Sequence, residues 1–233
     1  MSNPVVTRPK TIATRASNTL FVVAKTPVAG RVKTRLVGAD FHDADAARLA
    51  GAFLRDTAAL ASHPELPDRM VLALDGDPAD LPALLPFLPT VPQGEGDLGE
   101  RLTRLFADAF AVPGTAAVCA IGSDTPHLPA AFVIEAFGRL ASPTVDAVVG
   151  RADDGGYYLV GMNRFCPELF AEIDWGTATV HAQTVARAAA ANLRIALLPP
   201  WYDVDTPGDV DRLRRDLVLG VVTAPGTAAV LSL

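Results

Sequence analysis

Thr19-Leu-Phe-Val-Val-Ala24 runs directly into Lys25-Thr-Pro-Val-Ala-Gly-Arg-Val-Lys-Thr-Arg-Leu36. The first segment is a short apolar run with β-branched and aromatic side chains. Such a run predicts a strand covered on both faces. The second cannot be regular throughout, because Pro27 and Gly30 interrupt it. It also gathers Lys25, Arg31, Lys33 and Arg35 into one loop. Gly30 lets backbone amides come close to a ligand. A buried strand that ends in basic side chains and accessible amides predicts a phosphate cradle. The Gly-x-x-x-x-Gly-Lys-Ser/Thr spacing of a P-loop is absent, so the cradle is of another kind.

Outward from this strand, apolar runs alternate with amphipathic segments. Asp43–Ser62 carries Ala46, Leu49, Ala50, Phe53, Leu54 and Leu60 at helical spacing, with Asp43 or Asp45 as its cap. Met70–Leu74 predicts a strand, Asp75–Pro78 a turn, and Leu81–Leu88 a short helix or apolar loop. Val91–Gly99 is glycine-rich and leads into a helix over Glu100–Phe110. Further strands are expected at Ala116–Ile121, Ala147–Gly150, Tyr157–Gly161 and Arg194–Leu198. Helices are expected at Pro129–Ala141, at Thr177–Asn192, and from Thr206 to Leu217. This alternation predicts an α/β fold of three layers, α/β/α, around a mostly parallel sheet. Ligands of such sheets bind at the carboxyl ends of the strands. Residues 19–233 are expected to form a single domain behind a flexible N-terminal arm, 1–18. The apolar tail after Val218 is expected to add a strand or to form the subunit contact of a homodimer.

The chain has 233 residues and a formal net charge of −6. General nucleic-acid binding draws its affinity from neutralised phosphates, and an acidic protein is poorly suited to it. An anionic ligand must therefore be held by a local cluster of cations, as in the first loop. Cys119 and Cys166 cannot make a disulfide framework, and no Cys/His spacing reads as zinc. No apolar run reaches the roughly 18 residues of a membrane span. The polar N-terminal stretch, with Arg8, Lys10 and Arg15, lacks the apolar middle of a secretory signal. Together these features predict a reduced, cytoplasmic protein with neither a nucleic-acid nor a membrane partner.

Two acidic motifs fall at predicted strand ends. In Gly122-Ser-Asp-Thr-Pro126, Asp124 is placed to hold Mg²⁺ or Mn²⁺. Mg²⁺ takes few carboxylates and completes its shell with water and substrate phosphates. The same residues also read as a helix start before Pro126. In Asp203-Val-Asp-Thr-Pro-Gly-Asp209, Thr206 is a good N-cap, and Asp203 and Asp205 alternate onto one face. Asp205 is the second candidate ligand. Two carboxylates from distant segments suit a metal that bridges phosphates. Asp153-Asp-Gly-Gly-Tyr-Tyr158 reads as a hairpin turn. That turn makes Asp154, Gly155, Gly156 and Tyr157 candidates for substrate binding. The glycine-rich segment offers Gln93, Gly94, Gly96, Asp97 and Leu98 beside a base or ribose, or serves as a mobile connector. Trp175 is expected to wedge the start of the helix at Thr177, and Ser123 has no nucleophile-elbow pattern.

Lys25–Leu36, Gln93–Leu102, Gly122–Pro126, Asp154–Gly161, Trp175–Thr184 and Asp203–Asp209 resemble, in this order, a bacterial glycosyltransferase-like family. That family has the nucleotide-diphospho-sugar transferase fold, of GT-A type. The chain is also similar to sugar and phospholactate nucleotidyltransferases, among them 2-phospho-L-lactate guanylyltransferase and CMP-Kdo synthetase. The resemblance implies that Arg31, Lys33 and Arg35 hold phosphates and that Asp124 and Asp205 hold the metal. Lys25, Pro27 and Gly30 complete the expected nucleotide-binding loop. One departure is Gly150-Arg151, where the family often has Gly-Pro before its Asp-Gly-Gly-Tyr motif.

Four cations in one loop match a triphosphate better than a diphosphate-sugar. The expectation is a metal-dependent nucleotidyltransferase that joins an NMP from an NTP to a phosphorylated or phosphonate small molecule, releasing pyrophosphate. Lys33, Arg35 and Asp154 are its catalytic candidates. One alternative is a glycosyltransferase with an NDP-sugar donor and Asp154 as base. Another is a non-catalytic nucleotide-binding module. The partners expected are a nucleotide (NTP or NDP-sugar) and a small-molecule acceptor.

Overall fold

Alternating side chains of the first strand enter two different cores, which sets the layering of the whole molecule. The structure is a computed structural model and describes residues 17–38, 41–67, 69–81 and 88–233. Its strands are β1 (Ser17–Lys25), β2 (Arg69–Asp75), β3 (Thr90–Pro92), β4 (Thr115–Gly122), β5 (Ala147–Ala152), β6 (Tyr157–Met162) and β7 (Ile195–Trp201). Among the described residues they form one seven-stranded sheet in the order β3-β2-β1-β4-β6-β5-β7. All pairings are parallel except those of β6, which runs antiparallel to both β4 and β5.

Six α-helices accompany the sheet among the described residues: α1 (Asp43–Ala58), α2 (Leu98–Ala111), α3 (Ala130–Leu140), α4 (Val180–Ala190), α5 (Pro207–Val218) and α6 (Pro225–Val230). Leu20, Val22 and Ala24 of β1 pack in one core with Leu54 of α1 and Val133 and Phe137 of α3. Phe21, between them in sequence, joins the opposite core with Leu102 and Phe106 of α2 and Ala188 of α4. The period of two along the strand thus supplies both faces, giving the expected α/β/α layers. Each fully buried Leu or Phe contributes about 1.5–3 kcal/mol of apolar transfer. A third cluster joins Leu49 and Phe53 of α1 to Tyr202, Val204, Val210 and Leu213. It fastens the segment after β7 to the outer surface of α1. Among the described residues, no helix is long and apolar enough to cross a membrane.

Several boundaries differ from the sequence expectation. The first helix ends at Ala58 and tightens into a 3₁₀ turn over Ala59–Ser62. Helix α2 begins at Leu98, because Asp97 and Glu100 form a capping box there. Helix α4 begins only at Val180, after the turn that holds Trp175. Strand β7 continues through Pro199 and Pro200 to Trp201, which an edge strand tolerates. The tail forms no added strand. It turns into α6, whose first amides donate to the Asp56 carboxylate of α1, Gly226 N at 2.8 Å and Thr227 N at 2.7 Å. The subunit-contact expectation for this tail has no counterpart in a single chain. Strand β1 already begins at Ser17. The rest of the expected arm, and most of the expected Leu81–Leu88 helix or loop, lie outside the described residues.

Candidate functional site

A cavity of about 890 Å³ opens over the carboxyl ends of β1 and β4, where β6 begins. The first loop builds one wall. Val32 and Leu36 point into the protein and are buried, which leaves Arg31 and Arg35 outward on the rim. Between them Lys33 takes a left-handed backbone conformation, with φ 50° and ψ 36°. That turn sends its side chain inward, where only 6 % of it is exposed. The Lys33 ammonium lies 2.5 Å from Asp124 Oδ1, and donates to Asp205 Oδ1 at 2.7 Å and to the Val204 carbonyl at 2.8 Å. Burial acts to lower the Lys33 pKa, but the Asp124 and Asp205 carboxylates outweigh it and raise the pKa. The group is therefore a fixed cation.

The two carboxylates meet because their backbones are joined. Val204 N donates to Asp124 O at 3.0 Å, fastening the loop after β4 to the segment after β7. Thr206 then caps α5 in a box with Asp209, so capping and site formation fall to different residues of the same motif. Asp203 and Asp205 both line the cavity, as their alternation suggested. The Asp203 carboxyl is pushed up to about 6 by burial and by the neighbouring charges of Asp154 and Asp205. Asp154 Oδ1 accepts from Gly156 N at 2.7 Å, which shapes the β5–β6 turn.

The glycine-rich segment closes the opposite end. Gln93 is buried and donates through Nε2 to Ala24 O and Ala73 O, each at 2.9 Å. Its Oε1 faces Arg101, which also pairs with Asp75 Oδ2 at 2.8 Å and donates to Gly96 O at 2.9 Å. Tyr157 and Trp175 meet edge to face, with ring centroids 6.1 Å apart, and both line the cavity. The Tyr157 hydroxyl is buried without a hydrogen-bond partner among the described residues.

Of the candidates named from the sequence, Lys25, Arg31, Lys33, Arg35, Gln93 and Gly96 line this cavity. So do Leu98, Asp124, Asp154, Gly156, Tyr157 and Asp205. Pro27, Gly30, Gly94, Asp97 and Gly155 do not. Gly30 instead takes φ 74° beside open space, so its role is to turn the loop. Asp97 caps α2, and Gly94 packs beside the Arg104 guanidinium. At Gly155 a Cβ would overlap the Ala178 carbonyl oxygen, so its glycine is a packing requirement. Arg101 went unassigned at the sequence level. Its only local signal is a basic residue one turn into a helix that follows a glycine-rich loop. Asp203 had a clearer signal, its alternation with Asp205.

Asp124 and Asp205 fit a hard divalent cation. Their oxygens converge on one point already occupied by positive charge. Among the described residues, no cluster of three or more His, Cys, Asp or Glu forms an all-protein cage. Two carboxylates with the rest of the shell left to phosphate and water is the usual Mg²⁺ arrangement.

The chain matches the family described as "Uncharacterized protein conserved in bacteria (DUF2064)" over residues 56–177. No protein of curated function matches it in sequence. Among solved structures it resembles a protein of Desulfovibrio desulfuricans G20 provisionally described as a nucleotide-diphospho-sugar transferase. The two are 35 % identical, covering 94 % of this chain and 95 % of that one, with a TM-score of 0.82. CMP:2-keto-3-deoxy-manno-octonic acid synthetase complexed with CTP shares the fold at 12 % identity, covering 88 % and 99 % of the two chains, with a TM-score of 0.56. So does 4-diphosphocytidyl-2C-methyl-D-erythritol synthase of Anaerococcus prevotii DSM 20548, at 9 % identity, 86 % and 99 % coverage, and a TM-score of 0.55. With the family match spanning more than half of its residues, this chain belongs to the DUF2064 family and has the nucleotide-diphospho-sugar transferase fold.

Proposed function

We propose that this protein is a nucleotide-using transferase that moves a nucleotidyl group from an NTP to a small-molecule acceptor. The observation that carries this reading is the gathering of Lys25, Arg31, Lys33 and Arg35 in one cavity, with Lys33 ion-paired to both Asp124 and Asp205. Lys25 and Arg31 have no carboxylate partner among the described residues, so their charge is available to an anion. An acceptor oxygen attacks the α-phosphorus, the bond to the bridging oxygen breaks, and pyrophosphate leaves with that electron pair. Lys25, Arg31 and Arg35 bind and neutralise the departing phosphates. Positioning and charge stabilisation supply most of the rate in such a transfer. Asp124 and Asp205 would hold Mg²⁺ or Mn²⁺, which offsets phosphate charge when bound.

The two walls differ in chemistry, and that constrains the acceptor. The first loop is cationic, whereas Asp154, Asp203, Tyr157 and Trp175 make the facing wall acidic and aromatic. A phosphate or phosphonate acceptor would direct its anionic end toward the α-phosphorus held by the cationic loop. The rest of it would meet groups suited to hydroxyls or an amine.

Glycosyl transfer from an NDP-sugar is the second reading. It is supported by Asp203, whose carboxyl at about 6 is poised to take a proton from an acceptor hydroxyl near neutral pH. The likeness to the Desulfovibrio protein also favours it. The test is pyrophosphate release with each NTP, Mg²⁺ or Mn²⁺, and a panel of phosphorylated and phosphonate acceptors. Release with one NTP supports nucleotidyl transfer. No release, together with turnover of one NDP-sugar, supports glycosyl transfer instead. Binding without turnover of either donor leaves a nucleotide-binding module.

A further inference from the structure

The Lys33 ammonium sits where a metal held by Asp124 and Asp205 would be. Its three N–H donors meet three acceptors, Asp124 Oδ1, Asp205 Oδ1 and Val204 O. The Phe53 ring lies behind it, 5.4 Å from the nitrogen to the ring centroid. A cation bridging the pair at Asp124 Oδ1 and Asp205 Oδ1 would compete with this ammonium for the same two atoms. Mg²⁺ binds oxygen at about 2.0–2.1 Å. A dication that close to both oxygens would sit within contact of an ammonium 2.5–2.7 Å from the same atoms. Two positive charges cannot share that space in a partly desolvated site.

We propose that Lys33 is a resident counter-cation that blocks the Asp124–Asp205 pair in the nucleotide-free protein and leaves it only when a phosphate arrives to accept the ammonium. The inference rests on the assignment of Asp124 and Asp205 as metal-holding carboxylates. Lys33 then makes metal and nucleotide binding mutually dependent. Its long, flexible side chain carries a compact charge that swings from the carboxylates to phosphate oxygen. Arg31 and Arg35, which flank it on the rim, mark where that phosphate lies. Linkage requires the effect to be reciprocal, so nucleotide raises metal affinity by the factor by which metal raises nucleotide affinity. The coupling follows from one side chain that changes partners, with no domain movement.

The test is Mn²⁺ binding to the full chain without nucleotide, followed by the free Mn²⁺ signal in electron paramagnetic resonance. Wild type is compared with Lys33→Met and Lys33→Gln. Both variants should bind Mn²⁺ at least about tenfold more tightly than wild type, a shift of about 1.4 kcal/mol or more. Adding Asp124→Asn to Lys33→Met should abolish the gain. Mn²⁺ should also raise the melting temperature of the Lys33 variants and barely move that of wild type. The Lys33→Gln variant retains hydrogen bonding to the carboxylates, so it preserves the comparison if Lys33→Met does not fold. Equal or weaker Mn²⁺ binding by the Lys33 variants overturns the proposal. The readout needs no turnover: tighter Mn²⁺ binding by the variants, with no release of pyrophosphate from any NTP by the wild type, would sink nucleotidyl transfer and leave the counter-cation role standing.

Discussion

Lys33 adopts a left-handed backbone conformation that costs a non-glycine residue about 1–2 kcal/mol. Burial of Val32 and Leu36 on either side, and the ion pairs of the ammonium, hold it there. Its pairing with Asp205 spans 172 positions of sequence. That distance explains what the sequence could and could not disclose. The basic loop and both acidic motifs were legible as strand-end features, since each is local. The ammonium between the carboxylates was not, because it depends on how distant loops fold together. Arg101 was hidden for the same reason, with Asp75 and Gln93 meeting it only in the folded sheet. At this scale, Asp124→Ala and Asp205→Ala should each weaken nucleotide binding in Mg²⁺ while the far-UV circular dichroism stays native. Loss of an outer-shell partner at a metal site costs on the order of 10–100-fold. Loss of either carboxylate proposed as a direct ligand should cost at least as much, and calorimetric titration with a Mg²⁺–nucleotide complex measures it. Wild-type affinity in either variant would remove that residue from the site.

Helix α2 packs tightly against the cavity wall at Gly99. A Cβ placed at Gly99 would lie 2.5 Å from Trp175 Nε1 and 2.8 Å from Phe170 O. Trp175, expected to wedge the helix start at Thr177, packs against the start of α2 at Gly99. Gly99→Ala should destabilise the protein by about 1–3 kcal/mol, the usual cost of overpacking. Denaturant unfolding measures the loss, and Trp fluorescence should shift as the indole leaves the cavity wall. The tail helix was unreadable for a different reason. Its Pro225-Gly226 start looks like a loop, and its cap comes from Asp56, 170 positions away. Asp56 also accepts from Thr227 Oγ1 at 2.6 Å. Asp56→Ala should therefore cost about 1–2 kcal/mol, as loss of a helix cap does, and amide exchange should quicken in Pro225–Val230. Unchanged exchange there would show that packing on α1 alone holds α6.

Across the whole molecule, acid stability should fall in two stages. His127 is 2 % exposed, packed against Trp201 and Tyr202, with both ring nitrogens unpartnered among the described residues. Burial lowers its pKa to about 4, with Asp216 opposing and Arg212 assisting. A histidine depressed in the folded state is protonated first in the unfolded chain. Its contribution is thus complete above about pH 6.5 and is lost as pH falls toward 4, by roughly 2–4 kcal/mol. Asp146 acts at lower pH. Arg194 donates to its carboxylate from the backbone at 2.8 Å and from the guanidinium at 2.9 Å, tying the start of β5 to that of β7. Those bonds hold the carboxyl well below the usual range. The stability they bring is present above about pH 3.9 and disappears below it. Melting temperatures from pH 3 to 7 should show both stages in wild type, and His127→Leu should remove the one between 6.5 and 4. Asp203, raised to about 6, gains stability over the same interval and opposes this loss, so the check is the difference: parallel profiles of wild type and His127→Leu between pH 6.5 and 4 would contradict the buried, unpartnered imidazole.

The layered fold itself was readable, because β1 alternates between two cores and strands alternate with helices along the chain. The reversed direction of β6 was less visible, and it has a consequence for how such a site diversifies. A parallel neighbour would leave the cavity by way of a crossover helix. Here β5 ends at Ala152 and β6 begins at Tyr157 on the same rim, so Asp154 and Tyr157, two of the four residues proposed to face the acceptor, sit at the tip of a hairpin. Gly155, packed on Ala178, fixes the backbone of this tip, but its side chains can change without rethreading a helix or shifting the cations across the cleft. Under the proposed function, the hairpin part of the acceptor wall and the basic donor loop lie on different pieces of chain, so one can change side chains without the other.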